Sequence, residues 1–267
     1  MRCPKCGANV PDGKSKCPYC FSPISDQPSR SFSVASNNNV SNNANEMIAP
    51  KKSSADIYEK NVPSIAIITF LGDDPVKKHT YQFNGSGWLI SRDGYLVTNT
   101  HVVYNRYADE VADEVDVLLD GKTYKGRVLR TLEPPCECLE YSYSDVALVK
   151  IDARFPSCLR VGNSDNLRNG EEVTAIGNAL GFGYNVTRGV ISDVHKKLGP
   201  EFGNETLLVS DVGINGGNSG GPLFNSRGEV IAMCVSAPSQ EVEHEAFNFF
   251  IPVNHILEIL RGWGYKF

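Results

Sequence analysis

No stretch of this sequence carries the ~20 consecutive apolar residues that a membrane-crossing helix needs. The longest apolar run, residues 62–72, is interrupted by Ser64 and Thr69 and reads as a buried strand. The N-terminus is short of apolar residues too: Met1-Arg2-Cys3-Pro4 leads into polar sequence with no secretory leader pattern. The expectation is a cytoplasmic protein with no membrane partner. Positive charge is also scarce, with 26 Lys and Arg against 31 Asp and Glu, a net charge of −5. That balance disfavours a chain built to neutralise phosphates, so nucleic acid is an unlikely partner class. Cysteine, at 8 of 267 residues, is too sparse for a disulfide scaffold. What is present, 41% hydrophobic and 21% charged residues, suits a soluble globular protein with room for one large domain or two ordinary ones plus a small module.

Half of the cysteines sit at the extreme N-terminus. Cys3-Pro-Lys-Cys6 and Cys17-Pro-Tyr-Cys20 are two C-x-x-C pairs separated by ten residues. Turns of this kind present thiolates that close a tetrahedral zinc shell. The segment resembles the short zinc ribbon at the head of many multidomain bacterial proteins, with Phe21 where that pattern usually has glycine. Residues 1–25 are therefore read as a ribbon with Cys3, Cys6, Cys17 and Cys20 holding a structural zinc, in a reducing compartment. Residues 26–55 turn to Ser, Asn and Lys and carry too little apolar surface to offset ordering entropy, which makes them a flexible linker.

From residue 56 to 267 the pattern changes to twelve short β-rich runs broken by Gly, Asp and Asn, followed by a single stretch of helical periodicity at residues 252–263. That implies an all-β fold with a C-terminal helix. The chemistry concentrates in three places. Asn215-Gly-Gly-Asn-Ser219-Gly-Gly-Pro222 sets a serine among glycines, where close backbone approach lets N–H groups converge on one point. Gly94-Tyr-Leu-Val-Thr-Asn-Thr-His101 ends an apolar strand with a histidine, and Ser144-Asp145-Val-Ala-Leu-Val opens one with an acid. A nucleophilic serine needs such a base, and the base needs an orienting carboxylate.

At these residues the chain resembles the HtrA/Deg branch of the chymotrypsin-like serine proteases. Gly85-Ser-Gly-Trp-Leu-Ile, Leu159-Arg-Val-Gly-Asn-Ser-Asp, Val186-Thr-Arg-Gly-Val-Ile-Ser and Phe249-Phe-Ile-Pro extend the likeness in register over residues 57–262. The resemblance implies two six-stranded β-barrels, about residues 56–158 and 159–267, with the active site between them. It implies a triad of His101, Asp145 and Ser219 and an oxyanion-hole segment of Gly217, Asn218 and Ser219. Gly213, Ser236 and Asn248 fall at the specificity pocket. Catalysis would need no cofactor, and the partners would be unfolded or accessible polypeptide segments. Asp152 and Asp165 are rival acids by position but lack the matching context, while His79, His195, His244 and His255 read as solvated or helix-associated.

Some residues depart from the family pattern. Gly216 stands where proline is common, which implies a more mobile loop and a switchable site, and Asn248 replaces a glycine beside the pocket. With no acid at Gly213, cleavage after small apolar residues is expected rather than after Arg or Lys. The PDZ domains of many relatives are not expected after Phe267. Tyr58 is the aromatic candidate for the contact that makes many relatives trimers, which leaves a homotrimer open. Residues 104–113 and 131–143 look like enlarged loops, the second holding Cys136 and Cys138 as an incidental pair, while Cys158 and Cys234 read as small hydrophobes. Two other readings stand beside the peptidase: a non-catalytic peptide-binding scaffold on the same fold, and a protein targeted through its ribbon to a protein partner or, by Arg2, Lys5, Lys14 and Lys16, to nucleic acid.

Overall fold

The computed structural model describes residues 51–132, 145–197, 206–236 and 248–267. The chain divides into two units, residues 1–48 and 49–267, and all described residues belong to the second. The zinc ribbon with its four cysteines, most of the linker, Cys136, Cys138 and His244 lie outside the described residues.

A helix the periodicity did not predict comes first. α1 (Ser54–Asn61) is opened by a capping box: the Ser53 hydroxyl accepts from the Asp56 N–H at 3.1 Å while the Asp56 carboxylate accepts from the Ser53 N–H at 3.0 Å. Its buried residues are Ile57 and Asn61 alone, too few for an amphipathic stripe to be legible. Folded structure thus begins before Asp56, where the sequence reading placed the domain boundary. Lys52 is already fixed, its N–H donating to the Ser226 carbonyl at 2.8 Å and its ammonium to the Arg227 carbonyl at 2.9 Å.

The first barrel comprises β1 (Ile65–Asp74), β2 (His79–Leu89), β3 (Tyr95–Thr98), β6 (Glu114–Leu119), β7 (Lys122–Thr131) and β8 (Ala147–Ile151), closed in the order β1-β2-β3-β8-β7-β6. A small hairpin, β4 (Tyr104–Asn105) and β5 (Glu110–Val111), gives form to the first of the two segments read as enlarged loops. The second barrel uses β9 (Glu172–Gly177), β10 (Asn185–Lys197), β11 (Thr206–Ser210), β12 (Pro222–Asn225), β13 (Val230–Ser236) and β14 (Asn248–Pro252), closed in the order β10-β11-β14-β13-β12-β9. Closure leaves no unpaired strand edge. Register shifts between β10 and β11 at residues 191–196 supply part of the bending that closure requires.

Several strands bury both faces, which is why they read as unbroken apolar runs rather than as alternation. In β8, Ala147, Val149 and Ile151 fill the first barrel while Leu148 points to the core between the barrels. In β13, Ile231 and Cys234 fill the second barrel while Met233 and Val235 join that same inter-barrel core. Cys234 is a small hydrophobe whose thiol pKa burial raises well above its ordinary value. α2 (Val253–Gly262) seals the shared core with Val253, Ile256 and Leu260. Ile57 and Tyr58 of α1 pack into the same cluster, so Tyr58, the candidate trimer contact, is half-buried within its own chain.

Candidate active site

The relay is assembled where β3 and β8 lie side by side. Thr98 pairs with Ala147, so the turn that follows β3 (Thr100–Val102) meets the residue that precedes β8. Three neighbouring side chains lock the junction: Asn99 Nδ2 donates to the Asp145 carbonyl at 2.7 Å, and Thr100 Oγ1 to the Val146 carbonyl at 3.0 Å. His101 completes it. Its N–H donates to Asp145 Oδ1 at 3.0 Å and its ring Nδ1 meets Asp145 Oδ2 at 2.5 Å. Asp145 is 2% exposed, so its charge is removed from water and both oxygens are met by His101. This leaves Nε2 as the ring position for proton traffic. The rival acids are employed elsewhere: Asp152 pairs with Lys150 at 3.2 Å and Arg127 at 3.5 Å, and Asp165 lies in a turn capped by Asn163. His79 stacks edge-on against Tyr81. His255 lies in α2, where burial lowers its pKa to about 4.

Ser219 sits in the loop that joins β11 to β12. Buried Val212 and Ile214 anchor that loop in the second barrel, and a chain of backbone bonds shapes it: Asn218 N–H to the Asn215 carbonyl at 3.0 Å, Gly221 N–H to the Asn218 carbonyl at 2.8 Å, Gly220 N–H to the Cys234 carbonyl at 2.9 Å. Glycine is required at two of these positions. Gly217 has φ +96° and a Cβ there would lie 2.2 Å from the Asn178 carbonyl oxygen; at Gly220, with φ +81°, it would lie 2.1 Å from that of Ser86. The Ser219 hydroxyl donates to the Val235 carbonyl at 3.0 Å.

Within the candidate oxyanion-hole segment the three N–H groups differ. Because the Asn218 N–H is spent inside the loop, it is not a donor to substrate. Among the described residues, the N–H groups of Gly217 and Ser219 donate to no protein acceptor. The Gly217 N–H has its direction fixed from the far side, for the Leu180 N–H holds the Gly216 carbonyl at 2.7 Å and a trans peptide points its N–H the opposite way. Leu180 adopts φ +57° to do so, an uncommon conformation for a residue with a side chain. Beside it, the Tyr184 hydroxyl crosses to the Ile65 carbonyl of the first barrel at 2.8 Å, and burial raises its pKa to about 12.

At the pocket, Gly213 presents no charge and its carbonyl accepts from Thr187 Oγ1 at 2.7 Å. Asn248 is 6% exposed and its Nδ2 donates to the Val212 carbonyl at 2.7 Å, so it ties β14 to the serine loop rather than offering that amide to substrate. Ser236 pairs with Phe249 at the end of β13.

The sequence profile of the trypsin-like peptidase domain matches residues 85–233, more than half of the chain, a span that includes His101, Asp145 and Ser219. The chain belongs to the trypsin-like peptidase family. Within it, the sequence is 38% identical over 189 residues to a probable periplasmic serine endoprotease DegP-like of Pseudomonas fulva, covering 67% of this chain and 36% of that protein. It is 35% identical over 193 residues to the protein of the same name from Hahella chejuensis, covering 68% and 38%. The fold is similar to that of the HtrA-type protease AlgW with decapeptide, with a TM-score of 0.64, 27% identity and coverage of 79% of this chain and 67% of the other. The chain spans a little over one third of the length of the curated relatives it matches. Those relatives are named periplasmic, which overturns the cytoplasmic, reducing location expected above. That expectation rested on the lack of a leader in this sequence, and such a lack does not fix a compartment.

Sequence reasoning singled out His101, Asp145 and Ser219 but not the residues that hold them in place. Asn99 and Thr100 act through side-chain bonds to backbone carbonyls and Asn178 and Leu180 through their N–H groups, roles that residue type alone does not reveal. Ser86 did have a signal, a serine between two glycines just before the apolar Trp88-Leu89 end of β2.

Proposed function

We propose that this chain is a serine endopeptidase of the HtrA/Deg type, acting on unfolded or accessible polypeptide segments through an acyl-enzyme. One observation supports the reading: a buried Asp145 whose two oxygens are both engaged by His101, in a chain that also holds Ser219 in a glycine loop.

Ser219 Oγ turns from the Val235 carbonyl and attacks the substrate carbonyl carbon as His101 Nε2 takes its proton. Asp145 holds the imidazole in the tautomer that accepts there and stabilises the cation that forms. The developing oxyanion accepts from the Gly217 and Ser219 N–H groups. As the tetrahedral species collapses, the C–N bond breaks and His101 returns the proton to the leaving amine, leaving an ester on Ser219. Water then adds to that ester, giving its proton to His101. Ser219 regains a proton as the carboxylic acid departs. Purified protein should hydrolyse an unfolded substrate such as casein and label at Ser219 with a fluorophosphonate. A chain that binds peptide but neither labels nor cleaves would instead be a non-catalytic scaffold.

At the N-terminus, four thiolates in two C-x-x-C pairs are the donor set of a structural zinc rather than a catalytic one, since they leave no open position. We assign the ribbon to recruitment of a protein partner. Metal analysis of the full chain should find one zinc, lost on chelation without loss of small-peptide cleavage.

A further inference from the structure

Ser86 belongs to β2 of the first barrel, yet its N–H and hydroxyl are turned to the second. It is 0% exposed. Its N–H donates to the Ser219 carbonyl at 2.8 Å. Its hydroxyl donates to the Gly217 carbonyl at 2.7 Å and accepts from the Asn178 N–H at 2.9 Å. Its own carbonyl accepts from Thr98 Oγ1 at 2.7 Å, next to the segment that carries His101. The surrounding chain leaves room for it: a Cβ at Gly177 would lie 3.0 Å from the Ser86 hydroxyl oxygen, and one at Gly221 would lie 3.4 Å from its Cβ.

We propose that Ser86 is a positioning residue for the oxyanion hole, its buried hydroxyl fixing the Gly217–Asn218 peptide from the opposite barrel. The inference deepens the peptidase reading and rests on it. Gly217 has no side chain and stands at φ +96°, so nothing of its own defines its orientation. Two carbonyl anchors do so. Leu180 holds the Gly216 carbonyl on one side of it and Ser86 holds its own carbonyl on the other. Together they fix both dihedral angles of Gly217 and hence the direction of its N–H. The Ser86 N–H meanwhile fixes the peptide that follows Ser219. One residue of the barrel that supplies the base thereby sets the geometry of nucleophile and oxyanion donors alike. Interactions of this kind matter where charge develops, so their loss falls on the transition state more than on bound substrate.

The test is Ser86→Ala, with Ser86→Cys as the variant that keeps the volume but donates only weakly. For Ser86→Ala, kcat on a small peptide should fall by ~10–100-fold with KM within about twofold. Affinity for a peptide boronate, whose tetrahedral adduct places an oxygen in the hole, should fall in the same proportion. Binding of an uncleavable peptide should not change. Ser86→Cys should fall between Ser86→Ala and wild type, and it carries the test alone if the alanine variant does not fold. A kcat within twofold of wild type in whichever variant folds, or a raised KM at unchanged kcat, overturns the inference while leaving the peptidase reading intact. Wild-type protein that neither labels with a fluorophosphonate nor cleaves peptide overturns both.

Discussion

The two barrels share an architecture and divide the chemistry unequally. The first contributes side chains: an imidazole and a carboxylate, each fixed by direct bonds between strand ends that lie side by side. The second contributes chiefly backbone, the N–H groups of a glycine loop whose own residues cannot hold them still. A side chain brings its geometry with it through rotamer and packing. A bare peptide group must borrow its geometry from neighbours, here Leu180 within the same barrel and Ser86 across the cleft. Catalytic groups built in the second way depend on residues far off in sequence.

The sharpest test of that division joins its two halves. Ser219→Ala and His101→Ala should each reduce kcat to background, on the order of 10⁶-fold, and the double variant should lose no more. Multiplicative losses would show that the barrels do not act as one catalytic unit. Next in size is Asp145→Asn, expected to cost on the order of 10⁴ in kcat because the amide holds the wrong imidazole tautomer. Circular dichroism should show the fold retained. Gly217→Ala probes the backbone half. Its Cβ would meet the Asn178 oxygen at 2.2 Å, so the loop must shift, with an expected loss of ~10²–10³ in kcat. Activity near that of wild type would mean that the N–H of Gly217 is not a donor to the transition state.

Two smaller effects sharpen the contrast outside the triad. With no acid at Gly213 and the Asn248 amide engaged by Val212, peptides with Val, Ala or Ile before the scissile bond should be cut at least ~10-fold faster than those with Arg. A substrate library dominated by Arg or Lys would reverse this view of the pocket. The smallest effect lies in α2. Burial holds His255 at about 4 in the folded chain, against 6.5 when unfolded. Between those values the unfolded chain binds the extra proton, so stability is fully present above pH ~6.5, declines as pH falls, and levels off below pH ~4. Discounted for partial solvent screening, the contribution is about 1–2 kcal/mol. The fall in melting temperature from pH 7 to 4.5 should shrink in His255→Leu.

How much of this was legible in the sequence follows the same division. The twelve barrel strands could be read because apolar runs are written in residue types, while the two barrels and the assignment of His101, Asp145 and Ser219 came from the family resemblance. Glycine marked the serine loop but not its internal bonds, so the closing of the Asn218 N–H onto the Asn215 carbonyl could not be read. Asn248 was placed beside the pocket because its type is visible, while its bond to Val212 is not. α1 escaped because its helix signal lies in a capping box, not in periodicity: Ser53 stands in a stretch that composition assigns to a linker, and its partner Asp56 lies just past that boundary.

The segments that flank the barrels cross over. Before entering the first barrel the chain is pinned to the second, by Lys52 at residues 226 and 227 and by the Ser54 hydroxyl, 2.9 Å from that of Thr174. After leaving the second, it lays Tyr265 and Phe267 against Tyr95 of the first, with ring centroids 5.6 and 5.3 Å away. The barrels are thus laced at both ends as well as joined in the middle. A single cut in the crossing between β8 and β9 would leave each fragment still strapped to its neighbour. Separating the barrels would require both terminal straps to part as well as the apolar core they share.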